Sequence, residues 1–172
     1  MDRERLHGIE GRSRKGLIEL AHQFGFQEIP TPSTGCALTE QLFAPKVRDL
    51  IELAPDARQW DYELLRVGRH FRFDSKTKVV LGRDESQNEQ LRLMAAQDRA
   101  SHCWIVEPEN FRGPTALVTG PFSEAALEFT GGLMLRYSKA DPETARIVCR
   151  LDGRSEICAA SGTEFAAHVE TI

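Results

Sequence analysis

Residues 79–91 read Val79-Val80-Leu81-Gly82-Arg83-Asp84-Glu85-Ser86-Gln87-Asn88-Glu89-Gln90-Leu91, and the change of character at Gly82 decides the fold class. The apolar, β-branched run before the glycine suits a strand. After it, Leu91, Met94 and Ala95 fall at the spacing of one buried helical face. A strand that ends at a glycine and passes at once into a helix brings helix N-terminal N–H groups and Arg83 to one point. That combination suits an anion such as phosphate. By itself the pattern also reads as plain helix capping by Asp84 and Gln87.

Working outward, strand and helix signals alternate. His70–Phe73 and Thr77–Gly82 read as strands joined by the turn "FDSKTK", and Tyr62–Gly68 as a further short strand after the linker "LAPDARQW". Beyond the central helix, "CWIVEP" and "GPTALVTG" are strands and "SEAALEFTGGLMLRYSK" is a helix. "ARIVCRLDGRSEICAA" is a hairpin turning at Asp152-Gly153. Upstream, Ser13–Phe24 shows a helical stripe of Leu17, Leu20, Ala21 and Phe24, with Ser13 as N-cap and Gly25 as stop. A second helix lies in "EQLFAPKVRDLIEL", with Pro45 in its first turn. The tail after Ala160 carries no strong signal. The expected fold is α+β: a small helical N-terminal segment, then a mixed β-sheet domain with packed helices. The expected boundaries are residues 1–58, 59–160 and a tail at 161–172.

The 172 residues carry a net charge of −4, unevenly spread. Met1–Arg83 holds 14 Lys/Arg against 12 Asp/Glu, and the remainder 8 against 14. Within Arg66–Arg83, six bases (Arg66, Arg69, Arg72, Lys76, Lys78 and Arg83) face one acid, Asp74. Such a run reads either as a solvated strand face or as an anion-binding surface. No apolar run approaches the ~18 residues of a membrane span. The charged start is not that of a secretory signal, so a cytoplasmic protein without membrane contact is expected. The four cysteines, Cys36, Cys103, Cys149 and Cys158, form no C-x-x-C pair and have no histidine at zinc-ligand spacing, so no metal site is expected.

The order of motifs carries a resemblance. The aromatic-basic "HFRF", the turn G-R-x-x-x-Q-N, "AQDRASHCWIVE", "GPTALV" and a helix ending in "RYSKA" succeed one another from Val67 to Leu151. This succession resembles the RNA-binding domain of the NFACT proteins, with Gly82, Arg83, Gln87, Asn88, Asp98, Trp104, Gly113 and Pro114 matching its motif. NFACT domains usually carry a histidine two residues after the tryptophan; Val106 stands there instead. The resemblance implies RNA, tRNA above all, as partner. Arg69, Arg72, Lys78, Arg83, Gln87 and Asn88 are the expected RNA-binding residues.

"GRSRKGLIELAHQFGFQEIPTPSTGCALTEQLFAPKVRDL" (residues 11–50) resembles the end of the PP-loop module of thiouridylase-like proteins fused to such a domain. Those proteins carry G-R-S-R-K and a loop ending P-x-P-A-G-G-C-L-L-T; here Ser33-Thr34-Gly35 precedes Cys36. In that family the loop cysteine is thought to carry a persulfide that attacks an ATP-activated uridine, which makes Cys36 the catalytic candidate. Read from the loop alone, Cys36 is either that nucleophile or a small buried residue. The pyrophosphate-binding S-G-G-x-D-S is absent from the sequence. The expectation is therefore the RNA-binding, sulfur-presenting C-terminal part of a tRNA thiolation enzyme, with no cofactor of its own. ATP is expected on a PP-loop domain or subunit, and a cysteine desulfurase or sulfur relay protein as donor. The alternative is a stand-alone RNA-binding module.

Overall fold

The computed structural model describes residues 14–29, 40–151, 153–162 and 164–172. Cys36, its loop and Ser13 lie outside the described residues. The chain divides between Cys36 and Ala37 into two compact units. In the first, helix α1 spans Lys15–Gln23, begins after Arg14 and buries none of its residues. Gly25 follows with φ +83°, a conformation that favours glycine and ends the helix.

The second unit is built on one six-stranded sheet. Helices α2 (Ala44–Leu53) and α3 (Gln59–Leu64) precede β1 (Arg69–Arg72) and β2 (Lys78–Leu81). Then come α4 (Glu85–Ala95), β3 (Cys103–Pro108), β4 (Ala116–Thr119) and α5 (Glu124–Arg136). The hairpin β5 (Arg146–Leu151) and β6 (Arg154–Ala159) and the short helix α6 (Glu164–His168) close the order. The strands lie in the order β1-β2-β4-β3-β5-β6. The α+β class expected from the sequence is the class found; the sheet, expected as mixed, is antiparallel at each of its pairings.

Period-two alternation divides the strand residues between two cores. Phe71, Val79, Leu81, Trp104, Val106 and Ile147 pack with Phe129 and Leu133 of α5 and Ala166 of α6. On the other face Val80 and Leu117 meet Trp60 and Leu64 of α3 and Leu91 and Met94 of α4. Each fully buried Leu or Phe side chain contributes about 1.5–3 kcal/mol relative to exposure, so both faces hold the sheet.

Two expectations are corrected. The segment read as a linker and a strand, residues 54–68, contains helix α3. Its buried Trp60 donates from Nε1 to the Met94 carbonyl at 3.1 Å, tying α3 to α4. The Arg58 N–H is met by the Asp61 carboxylate at 2.8 Å, which closes the helix start. The tail, read as featureless, forms α6, and the Ile172 N–H donates to the His70 carbonyl at 2.9 Å along the outer edge of β1.

Candidate nucleic-acid interface

The motif around Gly82 builds a rigid platform. The Gly82 N–H donates to the Thr115 carbonyl at 3.0 Å, carrying the β2–β4 pairing one residue past the strand. A Cβ on Gly82 would lie 2.1 Å from the Asn88 Oδ1 atom, so only glycine lets that side chain approach. The same Asn88 oxygen accepts the Thr115 N–H at 2.9 Å. Asp84 caps α4 by accepting the Gln87 N–H at 2.9 Å. Gln87 Oε1 in turn accepts two backbone N–H groups, from Gly68 and Arg83, each at 3.2 Å. Gln87 and Asn88 therefore fix the turn, while the exposed Arg83 side chain is what the turn presents.

Around Arg83 opens a cleft of about 640 Å³ lined by Arg69, Asn88, Phe111, Arg112, Pro114 and Tyr137 among others. Arg69 comes from β1, and its guanidinium lies 4.8 Å over the Tyr137 ring. Arg92 also reaches the cleft but is engaged by Glu89 at 2.9 Å, Glu85 at 3.1 Å and Glu107 at 2.6 Å. Arg83 and Arg112 form no ion pair among the described residues. The cleft thus presents three guanidinium groups without an ion pair among the described residues, Arg69, Arg83 and Arg112, beside aromatic rings and the carboxylates of Asp84 and Glu85.

The basic run splits. Arg72 and Lys78, two of its six bases, share one carboxylate, Asp49 of α2, which offsets one of their two charges. These two cations are direct cross-strand partners, an arrangement that repels unless an anion lies between them. Asp49 supplies it: Oδ1 accepts from Arg72 Nε at 2.9 Å, and Oδ2 from Lys78 Nζ at 3.0 Å and from Arg72 Nη2. Burial alone would raise the Asp49 pKa, but hydrogen bonds from Arg72 and Lys78 and their charges hold it below the usual carboxylate value. Of the six expected RNA-binding residues, the structure brings Arg69, Arg83 and Asn88 to the cleft and places Arg72 and Lys78 at Asp49. Gln87 lies beneath the turn.

Sequence reasoning did not single out Lys46. It is buried in α2 and donates from Nζ to the carbonyls of Leu65 at 3.3 Å and Gly68 at 3.4 Å. Burial first, then the charges of Arg83 and Lys78, push it down to about 8. His70 is fully buried nearby, its Nε2 donating to the Val67 carbonyl at 2.8 Å. Burial, followed by Lys78 and Lys46, holds its pKa well below 6.5, so the ring is neutral. Its Nδ1 atom has no hydrogen-bond partner among the described residues. Spacing could have flagged Lys46, which shares a helical face with the buried Leu50.

The other thiols are quiet. Burial, with Asp61, pushes Cys103 up to about 11. Burial, with Cys158 and Glu156, does the same to Cys149, and burial and Glu156 raise Cys158. All three are free cysteines. Trp104 and Val106, both named in the motif reading, are buried in the α5-side core.

The second unit is thus a three-layer α+β domain with a cationic cleft at a strand-to-helix turn. The NFACT protein RNA binding domain matches residues 68–164, and the chain belongs to that family. Residues 11–50, where a thiouridylase module was expected, lie outside the matched span, and nothing in the match supports that expectation. The structure titled as the C-terminal of the fibronectin/fibrinogen-binding protein from Streptococcus suis is similar with 12% identity and a TM-score of 0.45. That likeness covers 73% of this chain and 65% of the other. None of the curated proteins matches the chain. Among the described residues, no helix is long and apolar enough to cross a membrane.

Proposed function

We propose that the chain binds structured RNA, tRNA in the first place, by laying the phosphate backbone across the cleft at Arg69, Arg83 and Arg112. The observation that carries this reading is that Arg83, at a rigid turn, and Arg112, between β3 and β4, reach one cleft without an ion pair among the described residues, in a member of an RNA-binding family. Contacts of this kind read shape and phosphate more than base identity. They release counterions, so affinity falls with salt. A tRNA titration at two salt concentrations tests it, comparing the parent chain with Arg83→Ala plus Arg112→Ala. Weaker binding and a shallower salt dependence are expected in the double variant; equal, salt-independent binding by both overturns the reading.

The finer part of the proposal is that the chain is the RNA-binding and sulfur-presenting part of a cytoplasmic tRNA thiolation enzyme. ATP would be held by a PP-loop domain or subunit, and sulfur would come from a cysteine desulfurase or relay protein. Two observations favour it. Residues 11–50 resemble the thiouridylase module around Cys36, and burial disfavours the thiolate at Cys103, Cys149 and Cys158. With the PP-loop half supplied in cells, Cys36→Ser should abolish tRNA thiolation and leave RNA binding intact. Unchanged thiolation would leave the chain as a stand-alone RNA-binding module.

A further inference from the structure

Beside the cleft, and sharing Arg69, Arg83 and Tyr137 with it, lies a smaller recess of about 260 Å³. Lys46 and His70 line it, and Thr171 and Ile172 complete its rim. Lys46, Thr171 and Ile172 fall outside the family match at residues 68–164.

No acidic side chain among the described residues lines the recess. Lys46, Arg69 and Arg83 converge on it, and none of the three is ion-paired among the described residues. Lys46 is only 8% exposed. Its ammonium group has three N–H donors, and the two acceptors it meets are neutral carbonyls. A buried cation without a counter-charge is costly, and two neighbouring cations add to that cost. His70 adds a buried Nδ1 lone pair with no donor among the described residues.

We propose that this recess is a binding site for a phosphoryl oxyanion. A tetrahedral group with three or more oxygens can accept from an ammonium and two guanidiniums arriving from different directions, which a planar carboxylate does less well. The inference rests on the RNA reading for its source, a phosphate of the RNA lying in the adjoining cleft; the oxyanion chemistry itself stands on the recess.

The test uses the full chain and inorganic phosphate. Thermal unfolding is followed as phosphate is added, against sodium chloride at matched ionic strength. A saturable rise of the midpoint is expected in phosphate alone, with affinity about tenfold weaker in Arg83→Ala, whose exposed side chain supports no packing. In Lys46→Met, where folding itself can suffer, the readout is the phosphate-induced shift of the His70 ring nitrogens, which should vanish. An equal response to chloride, or an undiminished response in both variants, overturns the site. A second arm compares one RNA hairpin bearing a 5′-phosphate or a 5′-hydroxyl, with phosphate as competitor. Weaker binding of the hydroxyl form assigns the recess to a terminal monoester; equal binding that phosphate still displaces assigns it to an internal phosphodiester. RNA binding that phosphate never displaces overturns the recess and leaves the functional reading standing. Phosphate binding without RNA binding does the reverse.

Discussion

Arg72 and Lys78 on one side, and Arg69 and Arg83 on the other, come from the same hairpin and its exit, yet they are two different kinds of charge. The first pair faces α2 and shares one carboxylate, Asp49, which offsets one of its two charges and occupies the donors of both. The second pair faces the cleft, with a tyrosine ring under Arg69 and no ion pair to Arg83. A count of bases along the chain gives all four equal weight. The fold shows that one residue from a preceding helix decides which of them an anion outside the protein can reach.

The largest effect should come from removing that residue. Asp49→Ala leaves Lys78, whose side chain is 4% exposed, and Arg72 facing each other without an anion. A loss of about 3 kcal/mol in urea unfolding is expected, with RNA affinity unchanged or raised in the folded fraction. A neutral Asp49→Ala would break the comparison. Next in size is the affinity difference between the two pairs. Arg69→Ala plus Arg83→Ala should weaken tRNA binding about tenfold and reduce the salt slope by about two. Arg72→Ala alone should leave the slope as it is.

A smaller effect is one of pH. His70 is held neutral, with its folded pKa well below 6.5, so below that value the unfolded chain binds a proton the folded chain does not. Stability should therefore fall as pH drops, by about 1 kcal/mol between about pH 7.5 and 5.5. His70→Gln should flatten that slope in unfolding measurements. The smallest effect sharpens the comparison from outside. Arg66 and Lys76 are exposed and line no part of the cleft, so alanine at both should change RNA affinity by less than about twofold in the same titration.

The sequence was informative where its signals are local. The strand-to-helix change at Gly82, the helical spacing of Leu91 and Met94, and the hairpin at Gly153 all depend on neighbours within a few residues, and the structure has each of them. Helix α3 spans only six residues, too few to separate its period from a strand's, and its anchor, Trp60 on Met94, is 34 residues away. The local sign was Asp61, three residues after Arg58 and reaching back to its N–H. Helix α6 is too short for a period to show. The site was half legible: Arg69 and Arg83 were named. The pairing of Arg72 and Lys78 with Asp49 was hidden because Asp49 lies 23 and 29 residues from them, and pairing across that distance leaves no pattern in sequence.

The two hydrogen bonds that Gln87 accepts have a kinetic consequence. A binding residue on a free loop must freeze its backbone when the ligand arrives, which slows productive encounter. Arg83 emerges from a backbone already held by Gln87 Oε1, which grips Gly68 at the same time, so only its side-chain rotamers remain to settle. Association with RNA should then run at the electrostatically steered rate, with differences among RNAs expressed in how long each complex survives. The amide protons of Gly68 and Arg83, though far apart in sequence, should exchange with solvent at linked rates and slow together, because one side chain shields both.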